Sequence, residues 1–256
     1  MNHIYCTQNA FGNTGSISQE VEEIAVCLAV ANADGMEVRR ELLPSGISLE
    51  DAGERLKELN LDVVFSSPEP LFDENGKLNN NNLTCLLQEA TAMGALLLKI
   101  PLGRYKGMKH ELFSLKHLLS QFPAITFTVE NDQTAYGGVT KHLEAFFLDC
   151  QDEEVPAGFT FDVGNPKYVG ENPLAMFRKL EVFIRYIHVK HVINGMGGWK
   201  TVQVSPEPSA EIDWVIGHTP EDVPIAIEYP VDFLNVSQHV SRLRSERLRS
   251  CQEQVQ

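Results

Sequence analysis

Eight short runs rich in β-branched and aromatic residues recur along the chain, and each is followed by a longer run with apolar residues three and four positions apart. The strand-like runs read HIYC, GMEVR, DVVFS, LLLKIP, ITFTVE, GFTFDV, YIHVKHV and VPIAIE. The helical ones read ISQEVEEIAVCLAVANA, SLEDAGERLKELN, NNLTCLLQEATAMG, KHELFSLKHLLSQF, VTKHLEAFFLDCQ, NPLAMFRKLEVFIR, a weaker PSAEIDWVIGH, and LNVSQHVSRLRSERLRS. A strand, a crossover helix and a further strand make a parallel pair, so the repeated alternation demands an α/β architecture. Eight such units in 256 residues match a TIM-type (β/α)8 barrel. No Pro/Ser/Gly-rich linker breaks the pattern, so residues 1–256 are expected to form a single domain. A doubly wound open sheet is the alternative arrangement, but no GxGxxG follows the first strand.

A barrel of this kind carries its chemistry at the C-terminal ends of its strands. Strands five to eight end in ITFTVEND, FTFDVGN, YIHVKHVI and IAIEYP, which place Glu130, Asp162, His188 and Glu228 there. Alternate residues of a strand face opposite sides. The apolar neighbours Val129, Phe161, Val163, Ile187, Val189 and Ile227 therefore belong against the helices, and the four polar side chains point inward. Any one of them alone reads as a helix N-cap or a solvated side chain. Together they put three carboxylates at one mouth, which repel one another unless a cation sits among them. One imidazole and three carboxylates suit one divalent ion: Mn²⁺, Mg²⁺, Co²⁺ or Zn²⁺.

The formal charge is −14, from 35 acidic and 21 basic residues, which repels a phosphate backbone and argues against nucleic acid as a partner. Five scattered cysteines without a CxxC pair read as reduced core thiols. The first residues, MNHIYCTQNA, lack the charged and apolar segments of a leader, and no stretch reaches the roughly 18 apolar residues of a membrane span. A cytoplasmic protein with no membrane partner is the expectation, and self-association into a homo-oligomer is left open.

The four strand ends resemble the xylose isomerase-like barrel superfamily of sugar phosphate isomerases and epimerases, in which one divalent metal is held by Glu, Asp, His and Glu from the last four strands. More narrowly, VFSSP, VENDQTAYGG, FDVGN, YIHVKHVI and IEYP look like the epimerases associated with 2-ketogluconate utilisation. The resemblance covers nearly the whole chain. It implies that Glu130 and Glu228 are both metal ligands and the acid/base pair. The ketose 3-epimerases usually carry a histidine three residues after the metal-binding Asp and an arginine six after the metal His, where this chain has Asn165 and Asn194. That departure bears on the substrate and on the reaction.

The reaction so implied removes a proton from the carbon beside a carbonyl of a sugar or sugar acid, through an enediolate that the metal stabilises as a Lewis acid. One glutamate takes the proton and the other returns one: to the same carbon for epimerisation, to the adjacent carbon for isomerisation. A dehydratase of the same fold and a non-catalytic sugar-binding barrel are the competing readings. A hydrolase of abasic DNA is rejected. Strands three and four end in FSSP and KIPL without the histidines of a three-zinc site, and no Asp-x-His follows His188.

Lys190 shares a face with His188 and is assigned to a developing oxyanion or a substrate carboxylate, against a lysine that merely reaches solvent. His191 points the other way and is read as structural. Glu37 and Arg39 on the second strand and Lys99 at the end of the fourth are assigned to substrate, with an inward ion pair as the alternative. Asn165 joins them as a substrate contact. Arg104, Lys106 and Lys109 in GRYKGMKHE read as a solvated face, as do the arginines of SRLRSERLRS. FDENGKLNNNN is turn-rich and is expected to be a mobile lid.

Overall fold

The computed structural model describes residues 3–12, 21–204 and 210–253, with the side chains of 250–253 left aside. Its barrel strands are β1 (Ile4–Thr7), β2 (Gly35–Arg39), β3 (Asp62–Ser66), β4 (Leu97–Pro101), β5 (Thr126–Glu130), β6 (Ala157–Asp162), β7 (Ile184–Val189) and β10 (Ile225–Ile227). All pair in parallel with their neighbours, and β1 closes the ring by pairing with both β10 and β2. The helices are α1 (Val21–Val30), α2 (Leu49–Glu58), α3 (Asn80–Ala92), α4 (Lys109–Leu119), α5 (Thr140–Asp152), α6 (Pro173–Leu180), α7 (Ala210–His218) and α8 (Val236–Glu253). None of the described helices is long and apolar enough to cross a membrane.

The period of two along each strand sorts the side chains into two cores. Outward residues such as Ile4, Met36, Phe65, Leu98, Val129, Phe161, Ile187 and Ile227 join the main core under the helices. Inward residues at the lower level, Tyr5, Val64, Leu97, Tyr186 and Ala226, form a separate plug inside the barrel. Gly35 makes room for it, since a Cβ there would lie 2.7 Å from the Tyr5 ring. One level higher, Thr128 and Thr160 hydrogen-bond to each other at 2.7 Å. The inward positions around and above that level are Thr7, Glu37, Ser66, Lys99, Glu130, Asp162, His188 and Glu228, all buried. The apolar plug therefore forms the floor on which a charged layer stands.

Several expectations are corrected. The run YIHVKHV is not one strand: β7 ends at Val189, and after Lys190 an antiparallel hairpin begins, β8 (His191–Gly195) with β9 (Gly198–Val202). Helix α6 stops at Leu180, so the Ile184–Arg185 pair expected at a helix end starts β7 instead. The first and seventh helical runs begin in residues outside those described, and their described parts start at Val21 and Ala210. The segment FDENGKLNNNN is anchored. Leu71, Phe72 and Leu78 are buried, Phe72 bridges Leu78 and Gly103, and Asp73 accepts from the Asn75 and Lys77 amides in a closed turn.

Arg104 is not simply solvated, because its guanidinium stacks 4.0 Å above the Tyr136 ring and pairs with Glu74. In α8, Arg247 is 1% exposed and donates to the Val223 and Pro220 carbonyls at 2.7 and 2.6 Å, contrary to a surface role. Among the cysteines Cys6 and Cys150 are buried free thiols, but Cys27 is half-buried and Cys85 exposed. The Cys251 side chain falls outside those described.

Candidate metal centre

Each of the four strand-end residues is delivered by backbone geometry rather than by a flexible loop. Glu130 is the last residue of β5, where it pairs in register with Thr160 of β6; Asp162 ends β6 opposite His188 of β7. Glu228 follows β10 and its amide donates to the Val189 carbonyl at 3.0 Å. One donor atom from each of Glu130, Asp162, His188 and Glu228 lies within 4.8 Å of the others, and all four residues are buried.

The imidazole organises the group. His188 Nε2 lies 2.7 Å from Glu37 Oε2, while Nδ1 lies 3.0 Å from Glu130 Oε1 and 3.1 Å from Glu228 Oε2. The ring stands edge-on to Tyr186, with centroids 4.9 Å apart. A histidine ligand commonly donates its far N–H to a carboxylate, which fixes the tautomer and aims the near nitrogen. Glu37 sits in that place, fully buried, with its two oxygens beside His188 and Lys99.

Asp162 is held as firmly. Its Oδ1 accepts from the Gly164 and Asn165 amides at 2.8 and 2.7 Å. Its backbone is gripped by the Asn131 side chain, which accepts from the Asp162 amide at 2.8 Å and donates to its carbonyl at 2.9 Å. The other oxygen, Oδ2, is buried without a hydrogen bond and has Lys190 Nζ at 3.0 Å. A buried carboxylate oxygen whose close partner is a cation, in a cluster of three carboxylates and one imidazole, fits a divalent ion as well as an ammonium, and the donor set suits such an ion chemically.

Three cations surround the carboxylates. Lys99 Nζ lies 2.8 Å from Glu130 Oε2 and 3.3 Å from Glu37 Oε1, and is buried. Arg39 reaches Glu228 Oε1 at 3.3 Å through Nη1 and Glu41 at 2.7 Å through Nε. Lys190 Nζ lies 2.9 Å from Glu228 Oε2. Burial alone raises a carboxyl and lowers an imidazole. Against it, Lys99 and His188 hold Glu37 and Glu130 below the usual carboxylate range, and Lys190 and His188 hold Glu228 well below it. Glu37 and Glu228 likewise push His188 well above the ordinary imidazole value. Asp162 stands apart, since burial outweighs Lys190 and leaves it raised to about 7.

The sequence assignments therefore divide. Glu130, Asp162, His188 and Glu228 converge at one point. Lys190 and Arg39 stand at the rim of the same cluster, while Lys99 is withdrawn into an inward ion pair. Asn165 is committed to the scaffold, donating to the Asn131 carbonyl at 2.8 Å and accepting from Gln133 at 3.1 Å. His191 lies outside the cluster on the hairpin.

Sequence reading passed over Asn9, which donates to Glu228 Oε1 at 3.3 Å, and Gln8, which accepts from the Arg39 amide at 3.0 Å. It also passed over Asn131 and Tyr186. Asn131 carried a signal, as an amide side chain directly after a strand-end glutamate. Gln8 and Asn9 follow a strand with no charged residue to mark them, and Tyr186 reads as one more core aromatic within β7.

No family model matches the chain, and no curated protein matches it. Solved structures do. The chain is similar over 99% of its length to 97% of an L-ribulose 3-epimerase, with a TM-score of 0.72 and 13% identity. It is similar over 98% of its length to 97% of D-psicose 3-epimerase from Clostridium cellulolyticum H10, solved with D-tagatose, with a TM-score of 0.64 and 9% identity. A probable 3-DHS dehydratase of petrobactin synthesis from Bacillus anthracis matches over 94% of this chain and 97% of its own, with a TM-score of 0.63 and 12% identity. At such identities the likeness establishes the fold alone, a closed parallel (β/α)8 barrel.

Proposed function

We propose that the protein is a divalent-metal-dependent isomerase or epimerase of a sugar or sugar acid, with Glu130, Asp162, His188 and Glu228 as ligands and Glu130 and Glu228 as the acid/base pair. The observation that carries the reading is the approach of both glutamates to His188 Nδ1, at 3.0 and 3.1 Å from strands on either side of it. Two carboxylates that flank one buried point are placed to serve two faces of one carbon, as a proton exchange beside a carbonyl requires. When bound, a divalent ion supplies Lewis-acid stabilisation of the enediolate.

The two glutamates are not equivalent. Each oxygen of Glu228 has two donors or cations beside it: Arg39 and Asn9 at Oε1, His188 and Lys190 at Oε2. Each oxygen of Glu130 has one, Lys99 or His188. Glu130 is thus the stronger base and takes the proton, while the same four neighbours hold Glu228 ionised, so Glu228 returns a proton only once a bound ligand draws some of them away. Arg39 and Lys190 at the rim favour a substrate whose polyol chain ends in a carboxylate, a contact worth roughly 1.5–3 kcal/mol when charge-assisted. All three cations are paired with carboxylates, but Lys99 is 2% exposed where Lys190 and Arg39 are 10% and 18%, so only the latter two can turn to a substrate at the rim.

The test is proton exchange in D₂O followed by NMR, with Mn²⁺ supplied and a panel of ketoses and keto-sugar acids. Deuterium should enter a carbon beside the carbonyl, and Glu130→Gln and Glu228→Gln should each slow this by at least ~10²-fold. Exchange in either variant at the wild-type rate would remove that glutamate from the mechanism. Loss of water without exchange-only product would move the protein to the dehydratases, and no exchange with any of the panel would leave a sugar-binding barrel.

A further inference from the structure

We infer that Lys190 is an internal counter-cation that stands between Asp162 and Glu228 in place of a divalent ion and sets how tightly that ion binds. The inference rests on the metal reading above and deepens it. Lys190 Nζ is 3.0 Å from Asp162 Oδ2 and 2.9 Å from Glu228 Oε2, and both carboxylates belong to the four-residue cluster. An ammonium and a metal ion that take the same carboxylate oxygens are mutually exclusive neighbours, because two cations a few ångströms apart in a buried site repel strongly. The ion therefore gains its place by displacing the ammonium.

The position of Lys190 is built. Its stem crosses Gly164, where a Cβ would lie 2.9 Å from Lys190 Cγ and 3.0 Å from its carbonyl oxygen, so glycine is what lets the side chain reach inward. The break between β7 and β8 falls at Lys190 itself, so the side chain retains the inward parity of His188 while its backbone leaves the barrel. A third acceptor, Asn165 Oδ1, stands 3.3 Å from Nζ on the rim side. It offers the ammonium a place to turn to, and that oxygen is itself fixed by Gln133.

Charge balance supplies the reason for the device. Four carboxylates, Glu37, Glu130, Asp162 and Glu228, are buried at one level, against Lys99, Lys190, the half-buried Arg39 and the His188 imidazole, which touches Glu37, Glu130 and Glu228 but is not paired with Asp162. Without Lys190 the pair Asp162–Glu228 loses the one ammonium that touches both, and buried unpaired charge is among the costliest features a fold can carry. Lys190 thus stabilises the metal-free protein and weakens the ion in one act. A turned-out Lys190 also faces the mouth, where an anionic group of a substrate would meet it.

The experiment compares the full-length wild type with Lys190→Met and Lys190→Gln, titrated with Mn²⁺ by calorimetry and by the electron paramagnetic resonance signal of free Mn²⁺. Thermal unfolding is followed in chelator and at saturating Mn²⁺. Both variants should bind Mn²⁺ roughly tenfold or more tightly, since a repelling positive charge a few ångströms from the ion is removed. Both should melt below the wild type in chelator, with the gap closing when Mn²⁺ saturates.

Equal or weaker Mn²⁺ binding in the variants overturns the counter-cation role while leaving the metal site standing. Variants that stay unfolded even at saturating Mn²⁺ overturn it too, since Lys190 would then serve the fold. No uptake of Mn²⁺, Co²⁺ or Zn²⁺ by any of the three proteins would remove the metal reading itself.

Discussion

His188 presents Nδ1 to Glu130 and Glu228 while Nε2 is engaged by Glu37 at 2.7 Å, so the orientation of the ligand we propose at the top of β7 rests on a carboxylate of β2. Removing that charge while keeping its shape should loosen the ligand set without removing a ligand. Glu37→Gln is expected to weaken Mn²⁺ binding by roughly tenfold or more, the range for an outer partner of a metal-binding histidine. Circular dichroism should report a retained fold. Unchanged Mn²⁺ affinity would show that His188 is held by Tyr186 packing alone. At this scale the sequence is legible where a residue is ionisable and sits at a strand end, as Glu130, Asp162, His188 and Glu228 do. It is silent on whether an inward charge faces substrate or another side chain, because that depends on depth in the barrel. Lys99 and Glu37 look like rim residues by parity, yet they pair with each other at 3.3 Å below it.

The elements were legible through their periods, and the errors fall where a period continues across a break. Lys190 and His191 extend the alternation of β7, so YIHVKHV reads as one strand although the backbone leaves the barrel after Val189. The turn residues that close the hairpin, Asn194 to Gly198, lie further on and say nothing of where β7 ends. Helix α8 shows a second limit. Its arginines have the spacing of a solvated face, but a long stem can lie along apolar surface and bring its charge to buried carbonyls. Arg247 does so at the turn before β10, closing the Pro220 and Val223 carbonyls. Replacing it by methionine keeps much of the stem but takes the guanidinium from the Val223 carbonyl and leaves the Pro220 carbonyl with the Val223 amide alone, which should cost about 1–3 kcal/mol of folding stability. Urea unfolding measures this. A change within about 0.5 kcal/mol would mean that water satisfies the carbonyls and that α8 holds by its apolar face.

Over the whole molecule the alternation that dictates a closed parallel barrel also dictates where charge can accumulate, since only the mouth lies open above an apolar plug. The site's own cations are largely matched there by Glu37, Glu41, Glu130, Asp162 and Glu228. A ligand at a distance therefore meets the field of the whole chain, whose formal charge is −14. Screening shrinks the reach of that field from about 30 Å at 0.01 M salt to about 8 Å at 0.15 M. If the substrate is a sugar acid, its approach is opposed at low salt and freed at high salt. Its association rate should then rise by about two- to fivefold across that range, while a neutral ketose should show no trend. Stopped-flow association monitored by tryptophan fluorescence distinguishes the two, with Trp199 on the hairpin and Trp214 on α7 as reporters. A rate for the acid that falls with salt would show that Arg39 and Lys190 dominate the potential at the mouth. The remote carboxylates would then set solubility and leave encounter to the rim.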